Sequence, residues 1–254
     1  MNHDFYIGWE AKASTEIRKH VRWMVAGLLV MTLGLALAFA ATQQTIGISV
    51  FEWGTVKKFS GVLRLQPYPH LLVSRPGKTS SNLNFSTYYL VAPFKFGLPR
   101  EKLASFDGKT VSLQGTLIYR STQTMIEVIP DSIKAGETKI DWLPDGATIG
   151  LRRQKLVGEI VDSKCFLGVM NPGQLLPHRA CAIRCISGGI PPVLLVRQPD
   201  GSAHYFLLVS TDGRPVNREV LDLVAEPVQI TGEVERQGEL LILRADPKTI
   251  RRIK

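Results

Sequence analysis

The sequence predicts a mainly β protein with one N-terminal transmembrane helix followed by two tandem five-stranded barrels, the second with a Cys/His-containing helical insertion. Three observations predict this fold class. The chain of 254 residues has an uncharged apolar run near its N-terminus, an internal repeat of short alternating segments, and a stretch found in only one copy of the repeat. That stretch holds all three cysteines, so the repeat supplies a scaffold and the extra stretch a candidate site.

The first predicted element is a membrane-spanning helix over residues 23–41, preceded by a cytoplasmic tail over residues 1–22. The run is apolar and uncharged, and about 20 such residues suffice to cross a bilayer as a helix. Arg18, Lys19 and Arg22 stand just before it, and basic flanking residues stay on the cytoplasmic side. We therefore expect a single-pass protein of the bacterial inner membrane, with its C-terminal domains on the periplasmic, extracytoplasmic side. A cleaved signal peptide is the alternative, because small residues near the end of the run suit a cleavage site.

The second half of the chain repeats the first. Tyr88–Val91 and Val111–Gly115 each match the segment that lies 117 positions later. Further upstream the offset is 97 at Gly61 and 123 at Leu71, so the second copy has gained 26 residues between these two points. Self-similarity of this kind indicates a duplicated structural unit.

Both copies alternate apolar and polar residues in short bursts, which is typical of half-buried strands. The predicted order is three strands, a short helix and two more strands. In the first repeat, residues 55–134, we expect strands at 57–65, 71–74, 86–92, 110–119 and 124–129, with the helix at 99–106. In the second repeat, residues 155–254, we expect strands at 155–161, 193–196, 203–209, 228–234 and 239–245, with the helix at 217–224. A charged linker, residues 135–154, joins them, and the insertion spans residues 165–192.

The layout of both repeats resembles the OB fold, a five-stranded barrel with a helix between its third and fourth strands. Gly115 and Gly232 stand at matching places in the fourth strands, where closure of a barrel requires a sharp bend. A second resemblance concerns the string GEIVDSKC followed by HRACAIRCISGGIPP. It resembles a stretch of an uncharacterised family of bacterial membrane-anchored proteins, and this likeness implies no activity.

The insertion predicts a cluster of metal ligands. Pro177 can open a helix and the glycine pair at 188–189 can end it, which places His178, Cys181 and Cys185 at i, i+3 and i+7 on one helical face. Cys165 can join them if the intervening loop folds back. Three thiolates and one imidazole form a tetrahedral set that Zn²⁺ accepts, and thiolates also suit Cu(I) or an iron–sulfur cluster. The sequence does not identify the cofactor, and it is equally compatible with a cluster that binds none.

Two other interpretations of the cysteines remain open at this stage. Cys165 could form a disulfide with Cys181 or with Cys185, which would staple the insertion to the barrel and leave one thiol free. Alternatively one cysteine is reactive, since Arg179 and Arg184 would favour its thiolate. The pair Asp162 and Lys164, which flanks Cys165, is expected to be solvated at a strand end. Because the first repeat lacks the insertion, we also expect its removal to leave a folded barrel.

Sequence motifs and net charge narrow the set of functions that we expect for this protein. Walker, Rossmann and Ser/His/Asp patterns are absent from the sequence, so we expect an accessory protein rather than an enzyme. Its role would be to bind a metal or redox centre, or to dock a redox partner, through the Cys/His insertion. A structural interaction module with a disulfide-locked loop and a thiol-dependent enzyme are the alternatives. The net charge of +9 suits the membrane surface or an acidic protein partner in a membrane complex, and we expect no nucleic acid partner.

Overall fold

The structure is a computed structural model that describes residues 12–42, 48–74, 85–136, 148–237 and 239–253. The chain divides into two units, Met1–Ile46 and Gly47–Lys254. The first unit contains helix α1, Thr15–Thr42. It is long and apolar enough to cross a membrane, as predicted from the apolar run, and the same length and composition also suit a signal sequence near the N-terminus.

The second unit contains two closed five-stranded barrels and little other regular structure. In the first half of this unit the strands are β1 (Ser49–Phe51), β2 (Lys57–Arg64), β3 (His70–Ser74), β4 (Phe85–Val91), β5 (Thr110–Arg120), β6 (Gln123–Val128) and β7 (Lys134–Ala135). A short helix, α2 (Arg100–Leu103), and one 3₁₀ turn, Ala104–Phe106, lie between β4 and β5. The second half contains β8 (Thr148–Asp162), helix α3 (Arg179–Ser187), β9 (Pro192–Arg197), β10 (Ala203–Val209), β11 (Pro227–Gln237), β12 (Leu240–Arg244) and β13 (Arg251–Arg252).

The two barrels have the same strand order. The first runs β5-β2-β3-β4-β6 and closes by pairing of β6 with β5, and β4 lies parallel to β6. The second runs β11-β8-β9-β10-β12 and closes by pairing of β12 with β11, and β10 lies parallel to β12. Short strands β1 and β7 extend the first sheet at β5, and β13 extends the second at β11. The predicted fold class, with OB-like barrels and a helical insertion in the second, is confirmed.

Glycines at matching positions allow the strands to bend and approach each other in both barrels. A Cβ atom on Gly61 would lie 2.3 Å from the carbonyl oxygen of Leu72, and one on Gly158 would lie 2.4 Å from that of Leu195. These distances are far below any real Cβ contact, so only glycine fits at these points. The same steric requirement at both positions supports the duplication inferred from the sequence.

Buried residues form three clusters rather than two. One fills the first barrel and contains Leu63, Leu71, Leu90, Leu113 and Ile126. Another fills the second barrel and contains Ile160, Leu194, Leu208, Val228 and Ile230. The third, which we call the shared core, joins first-barrel residues to the insertion and the second barrel; its members include Tyr89, Ile118, Met125, Cys165, Phe166, Leu167, Cys185, Ile190, Val193 and Leu207.

Two predicted elements differ in the structure. The helix expected over residues 217–224 is a run of turns with one 3₁₀ turn, Leu221–Leu223. Val216, Val220 and Val224 are all buried in the second-barrel cluster, and Val224 forms a bridge with Ile160, so this segment follows the barrel wall instead of continuing a helix. The linker expected over 135–154 is partly strand, since β8 begins at Thr148, and its residues 137–147 lie outside the described ranges.

Candidate metal centre

The insertion folds into three short helical pieces that follow strand β8. A π-helical turn covers Cys165–Val169, a 3₁₀ turn covers Leu176–His178, and α3 follows directly. Pro177 lies in the first turn of the 3₁₀ piece, where a missing N–H costs nothing. Gly188 and Gly189 end α3, and Gly189 has a φ of 101°, which suits glycine. The predicted helical insertion is therefore present, with α3 carrying two of the cysteines.

The thiol of Cys165 lies close to each of the other two thiols. The sulfur of Cys165 lies 4.0 Å from that of Cys181 and 3.9 Å from that of Cys185. All three cysteines are free, so neither of the two predicted disulfides is formed in this structure. Sulfur atoms bound to one tetrahedral ion at about 2.3 Å would lie about 3.8 Å apart. The two distances from Cys165 match that arrangement and are nearly twice the S–S bond length of about 2.05 Å.

His178 is held beside the thiols by a buried carboxylate. Its Nε2 lies 3.0 Å from Oδ2 of Asp162, whose Oδ1 accepts a hydrogen bond from the backbone N–H of Cys165 at 2.8 Å. Both side chains are buried. The ligand atoms of Cys165, His178 and Cys181 all lie within 4.8 Å of one another, and so do those of Asp162, Cys165 and Cys185. This Cys/His cluster could hold a metal ion.

The Asp162–His178 pair has the form of a metal ligand with its orienting partner. Metal-binding histidines commonly donate their second ring N–H to a carboxylate, which fixes the tautomer and the orientation of the ring. If His178 keeps its Nε2–H bond to Asp162, Nδ1 remains as the nitrogen for a metal. The prediction that Asp162 is solvated is wrong, because its side chain is fully buried.

The first barrel contributes a cation to the cluster. Nζ of Lys95, in the loop after β4, lies 2.7 Å from the sulfur of Cys181 and 3.8 Å from that of Cys185. The hydrogen bond to Cys181 raises the pKa of Lys95, which keeps its ammonium group charged. The sequence predicted Arg179 and Arg184 as the cations, but Arg179 pairs with Glu226 instead. Lys95 is thus a site residue that the sequence analysis missed.

The buried thiols differ in their affinity for protons. The hydrogen bond with Cys185, followed by burial, raises the pKa of Cys165. The same hydrogen bond lowers the pKa of Cys185. Of these two buried thiols, Cys165 keeps its proton to higher pH than Cys185, and binding of a metal there must release that proton.

A buried lysine fixes the loop that presents Lys95. Nζ of Lys164 donates to the carbonyl oxygens of Ala92 at 2.9 Å and Phe94 at 2.7 Å, and it pairs with Glu127. Only 1% of Lys164 is exposed, so the expectation that it is solvated is also wrong. Phe94 has a φ of 61°, an unfavourable conformation for a bulky residue. The contacts of Lys164 hold the backbone at this point.

Close backbone contacts also join the loop to the end of α3. The N–H of Gly97 donates to the carbonyl oxygen of Gly188 at 2.9 Å. A Cβ on Gly188 would lie 2.0 Å from the carbonyl oxygen of Lys95, and one on Gly97 would lie 2.4 Å from that of Gly189. The cluster is therefore built at the junction of the two barrels.

A scan against known protein families finds no match, and a search of curated proteins finds no similar sequence. Function must therefore be inferred from the site. Of the four predicted site residues, Cys165 lies with His178 and Cys181 in one group of ligand atoms and with Cys185 and Asp162 in a second group. The structure adds Asp162, Lys164 and Lys95. Proximity to Cys165 in the sequence could have indicated the first two, but nothing in the sequence indicated Lys95.

Proposed function

We propose that this chain is a membrane-anchored, extracytoplasmic accessory protein whose second barrel binds a single metal ion through Cys165, Cys181, Cys185 and His178. The observation that carries the proposal is the spacing of the three sulfur atoms, at 3.9 and 4.0 Å from Cys165. An ion bound by thiolates needs this spacing, whereas a structural disulfide needs two of the sulfurs in bonding contact.

The donor set favours one soft ion over a larger centre. Thiolate and imidazole ligands suit Zn²⁺ and Cu(I). The ligands of an iron–sulfur cluster must surround a core of several atoms, so their sulfurs would lie further apart than those of Cys165 and Cys185. The ammonium group of Lys95, which contacts Cys181, would offset part of the negative charge that three thiolates bring to the ion.

The remaining parts of the proposal rest on the sequence and on α1. The basic residues before the apolar run support a cytoplasmic N-terminus and a body outside the inner membrane. The excess of basic residues, a net charge of +9, supports association with lipid headgroups or with an acidic face of a membrane-complex subunit. In this role the protein holds a metal or redox centre for a partner and catalyses no reaction of its own.

The test is a metal titration of the full chain, purified in detergent under anaerobic, reducing conditions. We expect Cd²⁺, used as a spectroscopic substitute for Zn²⁺, to bind one ion per chain and to give a thiolate-to-metal absorption band. Cys181→Ser and His178→Ala are expected to lower the affinity. Asp162→Asn is expected to lower it by about 10–100-fold, because the histidine loses its orienting carboxylate. His204→Ala removes an exposed histidine of the same barrel and is the matched control.

Failure to bind metal while three thiols remain titratable would refute the metal centre, and it would also exclude the disulfide-locked module, in which only one thiol stays free. Location is tested separately. Protease added to spheroplasts is expected to digest residues 45–254 and to spare the N-terminal tail. Protection of the whole body would refute the extracytoplasmic placement while leaving the metal centre intact.

A further inference from the structure

We infer that the same cluster is a reversible oxidation site, in which a peroxide oxidises Cys181 and Cys165 then forms a disulfide with it. The inference concerns regulation of the site. Its consequence for metal binding rests on the function proposed above, whereas disulfide formation itself requires only the thiols.

Accessibility identifies Cys181 as the thiol that meets the oxidant. Cys165 and Cys185 are buried, with 3% and 1% of their surface exposed, whereas Cys181 is only partly buried. Cysteines that sense oxidants are solvent-accessible, have thiolate character and lie next to a second cysteine that resolves the oxidised form. Cys181 is the member of the cluster that meets the first of these conditions.

The contact with Lys95 places a cation beside the accessible thiol. Its ammonium group lies 2.7 Å from the sulfur of Cys181, where its charge attracts the negative charge that the sulfur carries when it attacks a peroxide. Both partners are fixed, because Lys164 holds the loop that carries Lys95 and Cys181 lies within α3. The first barrel thus supplies the group that would activate a thiol of the second.

Cys165 meets the third condition. Its sulfur lies 4.0 Å from that of Cys181 and belongs to a separate helical turn, so the two sulfurs can meet through a small movement. Cys185 lies four positions after Cys181 within α3, and a bridge between these two residues would distort the helix. The geometry therefore favours the Cys165–Cys181 pair.

The chemistry takes two steps. The thiolate of Cys181 attacks one oxygen of hydrogen peroxide, the O–O bond breaks, and sulfenic acid and hydroxide form. The thiol of Cys165 then attacks the sulfenic sulfur, the S–O bond breaks, and the oxygen leaves as water. The hydroxide takes up the proton that Cys181 released when it became a thiolate. Two thiols thus lose two electrons and two protons, and one peroxide is reduced to two molecules of water. The disulfide removes two of the three thiolates from the metal centre, so oxidation is expected to release the ion.

The experiment treats metal-free, reduced full-length protein in detergent with a small excess of hydrogen peroxide. We expect a mass loss of about 2 Da for two hydrogens, a Cys165–Cys181 linkage in the peptide map, one remaining thiol, and reversal by dithiothreitol. Cys185→Ser is expected to form the same linkage, and Cys181→Ser none. Lys95→Met is expected to slow oxidation by about tenfold, whereas Lys95→Arg, which keeps the charge, restores most of the rate.

Three results would overturn the inference: a Cys165–Cys185 linkage in the unaltered chain, a stable gain of oxygen mass on Cys181, or equal oxidation rates for the unaltered chain and Lys95→Met. A parallel titration with Cd²⁺ separates the two proposals. A protein that forms the disulfide but never binds metal refutes the metal centre alone. A protein that binds metal but gives no disulfide refutes the oxidation site alone.

Discussion

The two barrels use the same loop in different ways. After its third strand the first barrel turns with a hydrogen bond from Ala92 N–H to Phe96 O at 3.0 Å, and the second makes the matching bond from Ser210 to Arg214 at 2.9 Å. In the second barrel this loop carries the exposed ion pair Arg214–Asp212. In the first it delivers Lys95 to the thiols. A repeat that has no insertion of its own has thus become part of the other repeat's site.

The insertion also changes what holds the barrels together. The first barrel connects β2 to β3 through a short turn, whereas the second places the π-helical turn and α3 between β8 and β9. Side chains from these pieces fill the shared core together with Tyr89, Ile118 and Met125 of the first barrel. The segment that brings the cysteines is therefore also the segment that joins the barrels.

The largest effect is expected from deletion of residues 165–190. The sequence analysis expects a folded barrel after this change, but the structure indicates otherwise, because Phe166, Leu167 and Ile190 belong to the shared core. Each large core side chain contributes about 2–5 kcal/mol, so the three together are comparable to the whole stability of an ordinary domain, about 5–15 kcal/mol. We expect the deletion to abolish cooperative unfolding in a denaturant titration followed by circular dichroism.

The matched control for this deletion is the double variant His178→Ala/Cys181→Ser, which removes two ligands and keeps the shared core. It is expected to unfold cooperatively. Cooperative unfolding of the deletion variant with an unchanged midpoint would show that the barrels do not depend on the insertion.

A smaller loss is expected from Lys164→Met, which removes the buried ammonium between the barrels. The substitution leaves Glu127 and two carbonyl groups without this partner. Breaking one partner of a buried pair costs about 3–5 kcal/mol, to be measured as the free energy of unfolding. Lys57→Met is the matched control: Lys57 pairs with Glu52 but is 44% exposed, and such pairs contribute about 0–1 kcal/mol.

A double variant, Lys164→Met/Glu127→Gln, sharpens this comparison. It no longer has an unpaired carboxylate, so we expect it to recover part of the loss. Equal losses for Lys57→Met and Lys164→Met would mean that the buried lysine does not stabilise the junction.

The sequence predicts the structural features that depend on neighbouring residues or that recur in both repeats. Alternation of apolar residues located the strands, the matching glycines located their bends, and the spacing of His178, Cys181 and Cys185 located the cluster. Lys95 lies 86 positions from Cys181, and no local pattern indicates that the two meet. Burial of Lys164 could not be predicted either, because its partners Ala92, Phe94 and Glu127 belong to the first barrel. Burial of Asp162 accompanies its contacts with His178 and with the backbone of Cys165 inside the folded insertion.

The smallest effect is expected from a substitution at one position where the two repeats differ. His70 of β3 stands where the second barrel has Val193, since Leu71 aligns with Leu194 at an offset of 123. His70 is buried, and its Nδ1–H donates to the carbonyl oxygen of Tyr68 at 2.8 Å. Burial lowers the pKa of His70 below its ordinary value of 6.5, and nearby Arg64 adds to this effect while Asp107 opposes it.

Folded protein therefore resists protonation of His70, whereas the unfolded chain takes up the proton near pH 6.5. The contribution of neutral His70 to stability is complete above that pH and is lost as the pH falls below it, by at most about 1.4 kcal/mol per pH unit. His70→Val, which copies Val193, is expected to flatten the decline of the unfolding free energy between about pH 7 and pH 5. His204→Val, at an exposed position, is expected to leave the slope close to that of the unaltered chain. If His70→Val shows the same slope as the unaltered chain, then acid destabilisation arises from other groups, and the histidine that distinguishes the first barrel at this position does not make it acid-sensitive.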